Sequence, residues 1–87
     1  MINKTPHKSP WYVYIVECRD KTLYTGVAKD VAKRVQTHNT GTVCRYTRAR
    51  NPVILKYAEV RPTHSAALKR ESQIKKFDRQ EKLALIG

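Results

Sequence analysis

Tyr14, Tyr24, Arg34, His38 and Glu71 are the residues whose types and spacing could do chemistry in this chain. Val31, Arg34, Val35 and His38 recur at i, i+3, i+4 and i+7, which places them on one face of a helix. The two valines turn that face toward the rest of the fold, so Arg34 and His38 border the core instead of opposing it. Ala32 and Val35 widen the apolar side, while Lys29, Lys33 and Gln36 look outward. An Arg can snorkel from such a position and a boundary His can satisfy a carbonyl. The anomaly recurs, however, in Ala67, Leu68, Glu71 and Ile74, a second helical stripe with a carboxylate in its middle. A carboxylate facing a thin core is costly unless paired or metal-bound, and an ion pair with Arg34 would account for both residues. Tyr12, Tyr14 and Val16 share one face of a strand, with Tyr24 on the next. Strand tyrosines commonly pack their rings and wet their hydroxyls. Together the set can grip a phosphate through Arg, move protons through His and Tyr, and hold Mg²⁺ on one carboxylate largely through waters. That is the equipment of metal-assisted phosphodiester hydrolysis.

The bulk composition agrees. The chain has 87 residues, with 18 Lys and Arg against 7 Asp and Glu, a net charge of +11. Such a surplus points to a polyanionic partner, nucleic acid before an anionic membrane face. Cys18 and Cys44 form no CxxC pair and no metal-ligand cluster. There is no signal peptide and no apolar run near the roughly 20 residues needed to span a bilayer, so a cytoplasmic location and no membrane partner are expected.

The elements that must position these residues can be read in order. Residues 1–10, with two prolines and no periodicity, read as a flexible leader, and 11–87 as a single domain. "WYVYIVEC" (11–18) is a buried strand, "RDKT" a turn and "LYTGV" a second strand, making an antiparallel hairpin over 12–27. Gly26 lets the backbone bend, or approach something closely. Asp30 caps a helix that runs to about Asn39 and ends at Gly41. "TGTVCRYTRARNP" is a basic loop, and "VILKYAEV" a third strand between Pro52 and Pro62. Thr63 or Ser65 caps "AALKRESQIKKF", and Asp78 caps "RQEKLALI". The order ββαβαα gives an α+β fold, an α/β sandwich of helices on a small, mostly antiparallel sheet.

"YVY" at 12–14, then "YTG" at 24–26, Arg34, "HN" at 38–39, "RYTRARNP" and "AALKRE" form an ordered set that resembles the GIY-YIG endonuclease family from about Trp11 to Ile86. The likeness is greatest to its small stand-alone bacterial members. The resemblance implies a three-stranded antiparallel sheet flanked by helices, with a site on a concave face. It also implies roles. Tyr14 matches the last residue of the first motif and Tyr24 the first of the second; one of them takes the proton from the attacking water, and Tyr14 is taken ahead of Tyr24. Arg34 matches the phosphate-gripping arginine, His38 a position assisting proton transfer, Glu71 the sole protein ligand of Mg²⁺ or Mn²⁺, and Gly26 the structural glycine of the motif. The chain departs from the pattern at Tyr12, where the family name has Gly, and at Val27, where some members carry Lys. It also lacks an Asn beyond Glu71, with Lys82 in that region.

In "CRYTRARNP", Arg45, Arg48 and Arg50 are candidate phosphate contacts and Tyr46 a stacking or hydrogen-bonding neighbour. The runs "LKR" and "KKF" read as solvated helix faces. The resulting expectation is a divalent-metal-dependent DNA endonuclease in repair or recombination, acting on branched, flapped or single-stranded DNA. Little surface is left to read bases, so DNA shape or a protein partner would supply selectivity. The alternative is a module of the same fold that binds nucleic acid without cutting it. A third reading, a small basic structural or ribosome-associated protein, leaves the placement of Arg34 and His38 unexplained.

Overall fold

The computed structural model describes residues 10–41 and 45–87. All but the last residue of the expected leader, and Cys44, lie outside the described residues. Three strands form one antiparallel sheet in the order β2-β1-β3. These are β1 (Trp11–Glu17), β2 (Leu23–Ala28) and β3 (Ile54–Arg61). The β1–β2 register sets Tyr14 opposite Gly26 and Val16 opposite Tyr24, and on the other side Tyr14 lies opposite Ala58. The hairpin turn is held by Asp20, which accepts from the Thr22 amide at 3.2 Å and from the Thr22 hydroxyl at 2.6 Å. Lys21 takes the left-handed conformation there, at φ 73°.

The helices are α1 (Val31–Asn39), α2 (Arg45–Arg48), α3 (His64–Lys75) and α4 (Arg79–Ile86). The side chains of Asp30, Thr63 and Asp78 cap α1, α3 and α4, accepting from the amides of Lys33, Ala66 and Glu81. Thr63, not Ser65, is therefore the cap of α3. Gly41, at φ 77°, follows the end of α1 in the left-handed region that glycine enters without strain. The order is ββααβαα, because part of the segment expected to be a basic loop turns into the one-turn helix α2.

Alternation along β1 divides the core in two. Tyr14, Val16 and Cys18 face one way, packing with Ala28, Val53 and the flanks of Val31 and Val35 from α1. Val13 and Ile15 face the other, against Ala67 and Ile74 of α3 with Leu85 and Ile86 of α4. Three contacts hold α3 and α4 in place. Arg70 donates to Glu59 on β3 at 2.9 Å, and His64 stacks on Trp11 with ring centroids 3.9 Å apart. Arg79 reaches the Lys21 carbonyl at 2.8 Å. Glu59 also pairs with Arg61 and accepts from the Tyr57 hydroxyl. Burial alone would raise its carboxyl, but the Tyr57 hydrogen bond and Arg70 hold it below the usual carboxylate value.

Candidate active site

The α1 stripe arrives as a graded boundary. Val31 and Val35 are half-buried and His38 is completely buried, but Arg34 is exposed and so is Ala32. The expectation that Arg34 borders the core therefore holds for its backbone position only, since its long side chain carries the guanidinium into water. On α3 the inward stripe is Ala67, Glu71 and Ile74, while Leu68 points outward.

His38 is the centre of the arrangement. Its Nε2 lies 2.8 Å from the Tyr14 hydroxyl, and its Nδ1 lies 2.8 Å from Thr47 Oγ1. Tyr14, His38 and Thr47 are all buried, at 1%, 0% and 0% exposure. Burial first, and then the positive charge of Arg34, push the imidazole below its ordinary value of 6.5, so it is neutral at neutral pH. The Tyr24 ring meets His38 edge-on, with centroids 5.4 Å apart at 69°. Gly26 provides the room for this: a Cβ there would lie 2.5 Å from the Tyr14 hydroxyl oxygen and 2.7 Å from Cζ. The close approach expected at Gly26 is thus made by the Tyr14 ring.

Arg34 stands one turn before His38 and lines an open depression with Trp11, Lys29, Lys33 and Thr37. Lys29 Nζ sits 5.4 Å from the Trp11 ring centroid. Glu71 projects from α3, on the other side of the sheet from α1, with its side chain 18% exposed. Its ion pair is with Lys75 one turn on, at 3.3 Å, rather than with Arg34. The hydrogen bonds that join Tyr14, His38 and Thr47 do not include it. Among the described residues no cluster of three His, Cys, Asp or Glu side chains is placed to hold a metal. A lone half-buried carboxylate nonetheless suits Mg²⁺, which keeps most of its waters and takes one or two carboxylates with substrate oxygens.

In the basic segment, Arg45 and Arg48 are exposed on α2. Arg50 pairs with Asp20 at 3.0 Å, donates to the Tyr46 carbonyl at 2.9 Å and lies 4.1 Å over the Tyr46 ring. Tyr46 also stacks on Tyr24, at 5.8 Å and 26°. Arg50 and Tyr46 therefore lock α2 onto the hairpin turn and onto Tyr24. Sequence reasoning missed Thr47, Trp11 and Lys29. Thr47 sits among the Arg residues of a polar stretch, and no helical period runs through it to mark it as buried. Trp11 and Lys29 face each other across strand ends, where residue spacing carries no signal.

With this geometry in place, the family is plain. A model of the GIY-YIG catalytic domain matches residues 10–84, and the chain belongs to the GIY-YIG nuclease family. Its relatives include a UPF0213 protein of Staphylococcus saprophyticus, 56% identical over 76 residues, covering 87% of this chain and 93% of that one. A UPF0213 protein of Staphylococcus aureus is 56% identical over 75 residues, covering 86% and 92%. Among solved structures, the UPF0213 protein BH0048 of Bacillus halodurans superposes with a TM-score of 0.57 at 36% identity, over 88% of this chain and 82% of that one. The E. faecalis protein EF2693 gives the same score and identity over 94% and 83%. The three-stranded antiparallel α+β fold expected from the sequence is the one these proteins share. No helix among the described residues is long and apolar enough to cross a membrane.

Proposed function

We propose that the chain is a divalent-metal-dependent endonuclease that hydrolyses DNA phosphodiester bonds, with Mg²⁺ or Mn²⁺ as its ion. The observation that carries this reading is the buried 2.8 Å contact between the Tyr14 hydroxyl and His38 Nε2, with Arg34 one turn away. A phenol of ordinary pKa near 10 is a poor base at neutral pH. Paired with a neutral imidazole it can release its proton to Nε2 and act on a water. Arg34 supplies charge to the non-bridging oxygens of the phosphate, where it is worth most as that charge builds. Glu71 would hold the metal from the α3 side of the sheet, apart from the Tyr14–His38 pair, and the ion when bound would supply positive charge to the phosphodiester.

The strand path follows from the exposed cations. Lys29, Lys33 and Arg34 rim the depression whose aromatic wall is Trp11, and Arg45 and Arg48 project from α2. Phosphates tracking such a surface with a base near an aromatic ring is the pattern of single-strand binding, in keeping with flapped, branched or single-stranded substrates. The test is cleavage of a panel of flapped, branched, nicked and single-stranded DNAs with Mg²⁺, Mn²⁺ or EDTA, comparing wild type with Glu71→Ala. Metal-dependent cutting lost in the variant is expected. A preparation that cuts none of them would sink the reading.

One observation favours a second reading, a module that binds nucleic acid without cutting. Tyr14, whose hydroxyl meets His38 Nε2, is 1% exposed, which leaves a water little access to its oxygen. In that case binding would fall steeply with salt but ignore EDTA and Glu71→Ala.

A further inference from the structure

We propose that Thr47 is a positioning residue that keeps the His38 proton on Nδ1, leaving Nε2 free to accept the phenol proton of Tyr14. Its kinetic consequence rests on the nuclease reading above; the placement of the proton does not.

A neutral imidazole has one N–H and one lone pair, and the hydrogen bond at one nitrogen decides the state of the other. Here both nitrogens face a hydroxyl at the same distance, 2.8 Å, so distance does not choose between the two tautomers. The acidities do. A phenol is a far stronger acid than an aliphatic alcohol, hence the better donor and the poorer acceptor. The lower-energy match gives the ring's lone pair to Tyr14 and its N–H to the threonine oxygen. Thr47 is fully buried, so water does not compete for Nδ1. Among the described residues, the groups facing the ring are Tyr14 from β1, Tyr24 from β2, Thr47 from α2 and the charge of Arg34 from α1. None of them is an anion that would draw a second proton onto the ring in the resting protein.

The transfer balances. The Tyr14 O–H bond breaks as Nε2–H forms, giving phenolate and imidazolium; the phenolate then takes a proton from the attacking water. Throughout, Nδ1–H stays bonded to Thr47 Oγ1, which steadies the imidazolium as it forms. With the proton on Nε2 instead, the ring would donate to the phenol oxygen and could not accept from it. The same short helix carries Arg45 and Arg48, so the segment proposed to hold the substrate strand also sets the proton position.

The first measurement is nitrogen-15 NMR of the imidazole in the wild-type protein at a pH where His38 is neutral. The expected result is an unprotonated Nε2 and a protonated Nδ1; the reverse assignment would overturn the proposal whether or not the protein cuts DNA. The second compares Thr47→Val with Thr47→Ser. The valine variant should move the proton to Nε2 and slow cleavage about a hundredfold, the lower end of the range that general acid–base groups contribute. Its rate should keep climbing with pH toward the tyrosine range near 10 instead of levelling once His38 is neutral. Serine should restore both the tautomer and the profile. A valine variant whose profile keeps its shape, with the rate merely scaled, would make Thr47 structural only and refute the kinetic role. If wild type cuts nothing, the nuclease reading falls while the NMR assignment still decides the tautomer.

Discussion

The two faces of the sheet are built from opposite materials. Toward α3 and α4 the buried set is Val13, Ile15, Ala67 and Ile74, hydrocarbon throughout, with one hydroxyl, Thr25, beside it. Toward α1 and α2 the buried set includes a phenol, an imidazole and a threonine joined in a line by two hydrogen bonds. The first face gains stability by removing apolar area from water. The second gives up part of that gain to hold the hydrogen-bonded line proposed as a proton path, which is tolerable because each of its polar atoms in the line has a partner. In a chain of 87 residues, too small for a generous core, that division concentrates apolar cohesion on the α3 side and the hydrogen-bonded line on the α1 side, with Glu71 the one proposed functional residue on the apolar side.

Because the two faces divide in this way, damage to the apolar face should cost the most stability and leave the hydrogen-bonded line intact. Ile74 is completely buried between α3 and the sheet. Ile74→Ala should lower unfolding free energy by about 2–5 kcal/mol in urea titrations. At temperatures where the variant is still folded, its cleavage pH profile should keep its shape. A changed profile would mean that the faces are coupled and the comparison fails.

Gly26 probes the opposite face with less cost to stability and more to chemistry. A methyl group there meets the Tyr14 ring, which is fixed by its bond to His38, and neither strand backbone can retreat easily. Gly26→Ala should cost about 1–3 kcal/mol through overpacking. It should also disturb the Tyr14–His38 contact, visible as a changed His38 resonance. Full stability with an unchanged imidazole signal would show that the ring has room to move, contrary to the packing described.

The pH dependence of stability separates the faces again. His38 is held below 6.5 in the folded protein, by burial first and by Arg34 second. As pH falls below 6.5 the unfolded chain takes up this proton before the folded one does, so stability falls. The contribution is complete above 6.5 and is lost progressively down to the folded-state value, with no further loss beneath it. Denaturation midpoints measured from pH 7.5 downward should show this decline in wild type and a smaller one in His38→Asn. Equal declines would place the titrating group elsewhere.

Legibility in the sequence followed the same divide. Period-two and helical patterns depend on where side chains point, so β1, β2, α1 and the caps at Asp30 and Asp78 could be read directly. The family resemblance carried Tyr14, Tyr24, Arg34, His38 and Glu71 as a set. Spacing could not reveal contacts between residues distant in sequence. Thr47 joins His38 across nine positions and Arg70 joins Glu59 across eleven, and in each pair the two residues lie on different elements, which no single helix or strand period connects. Nor could it show that Arg50 and Tyr46 are used to lock α2 down, because a loop arginine looks the same whether it meets phosphate or Asp20. Ala32 and Leu68 were misplaced for a simpler reason: a short helix on a small sheet buries a narrow stripe, and apolar residues at its margin stay wet.

The smallest effect is the sharpest test of the comparison. Thr25 is 2% exposed, and its hydroxyl has no hydrogen-bond partner among the described residues. It lies opposite Ile15, so strand alternation turns it to the apolar side. A buried hydroxyl without a partner costs its desolvation and gives nothing back. Valine has nearly the same shape, so Thr25→Val should leave packing intact and change stability by about 0–1 kcal/mol in the favourable direction. The same chemical change at Thr47 removes a partner from a buried N–H and should destabilise by about 1–3 kcal/mol. Measured side by side in urea, two isosteric substitutions of one residue type should therefore have opposite signs. Like signs would mean either that Thr25 has a use for its hydroxyl or that the His38 bond adds no stability. Destabilisation at both sites would point to the first, and stabilisation at both to the second.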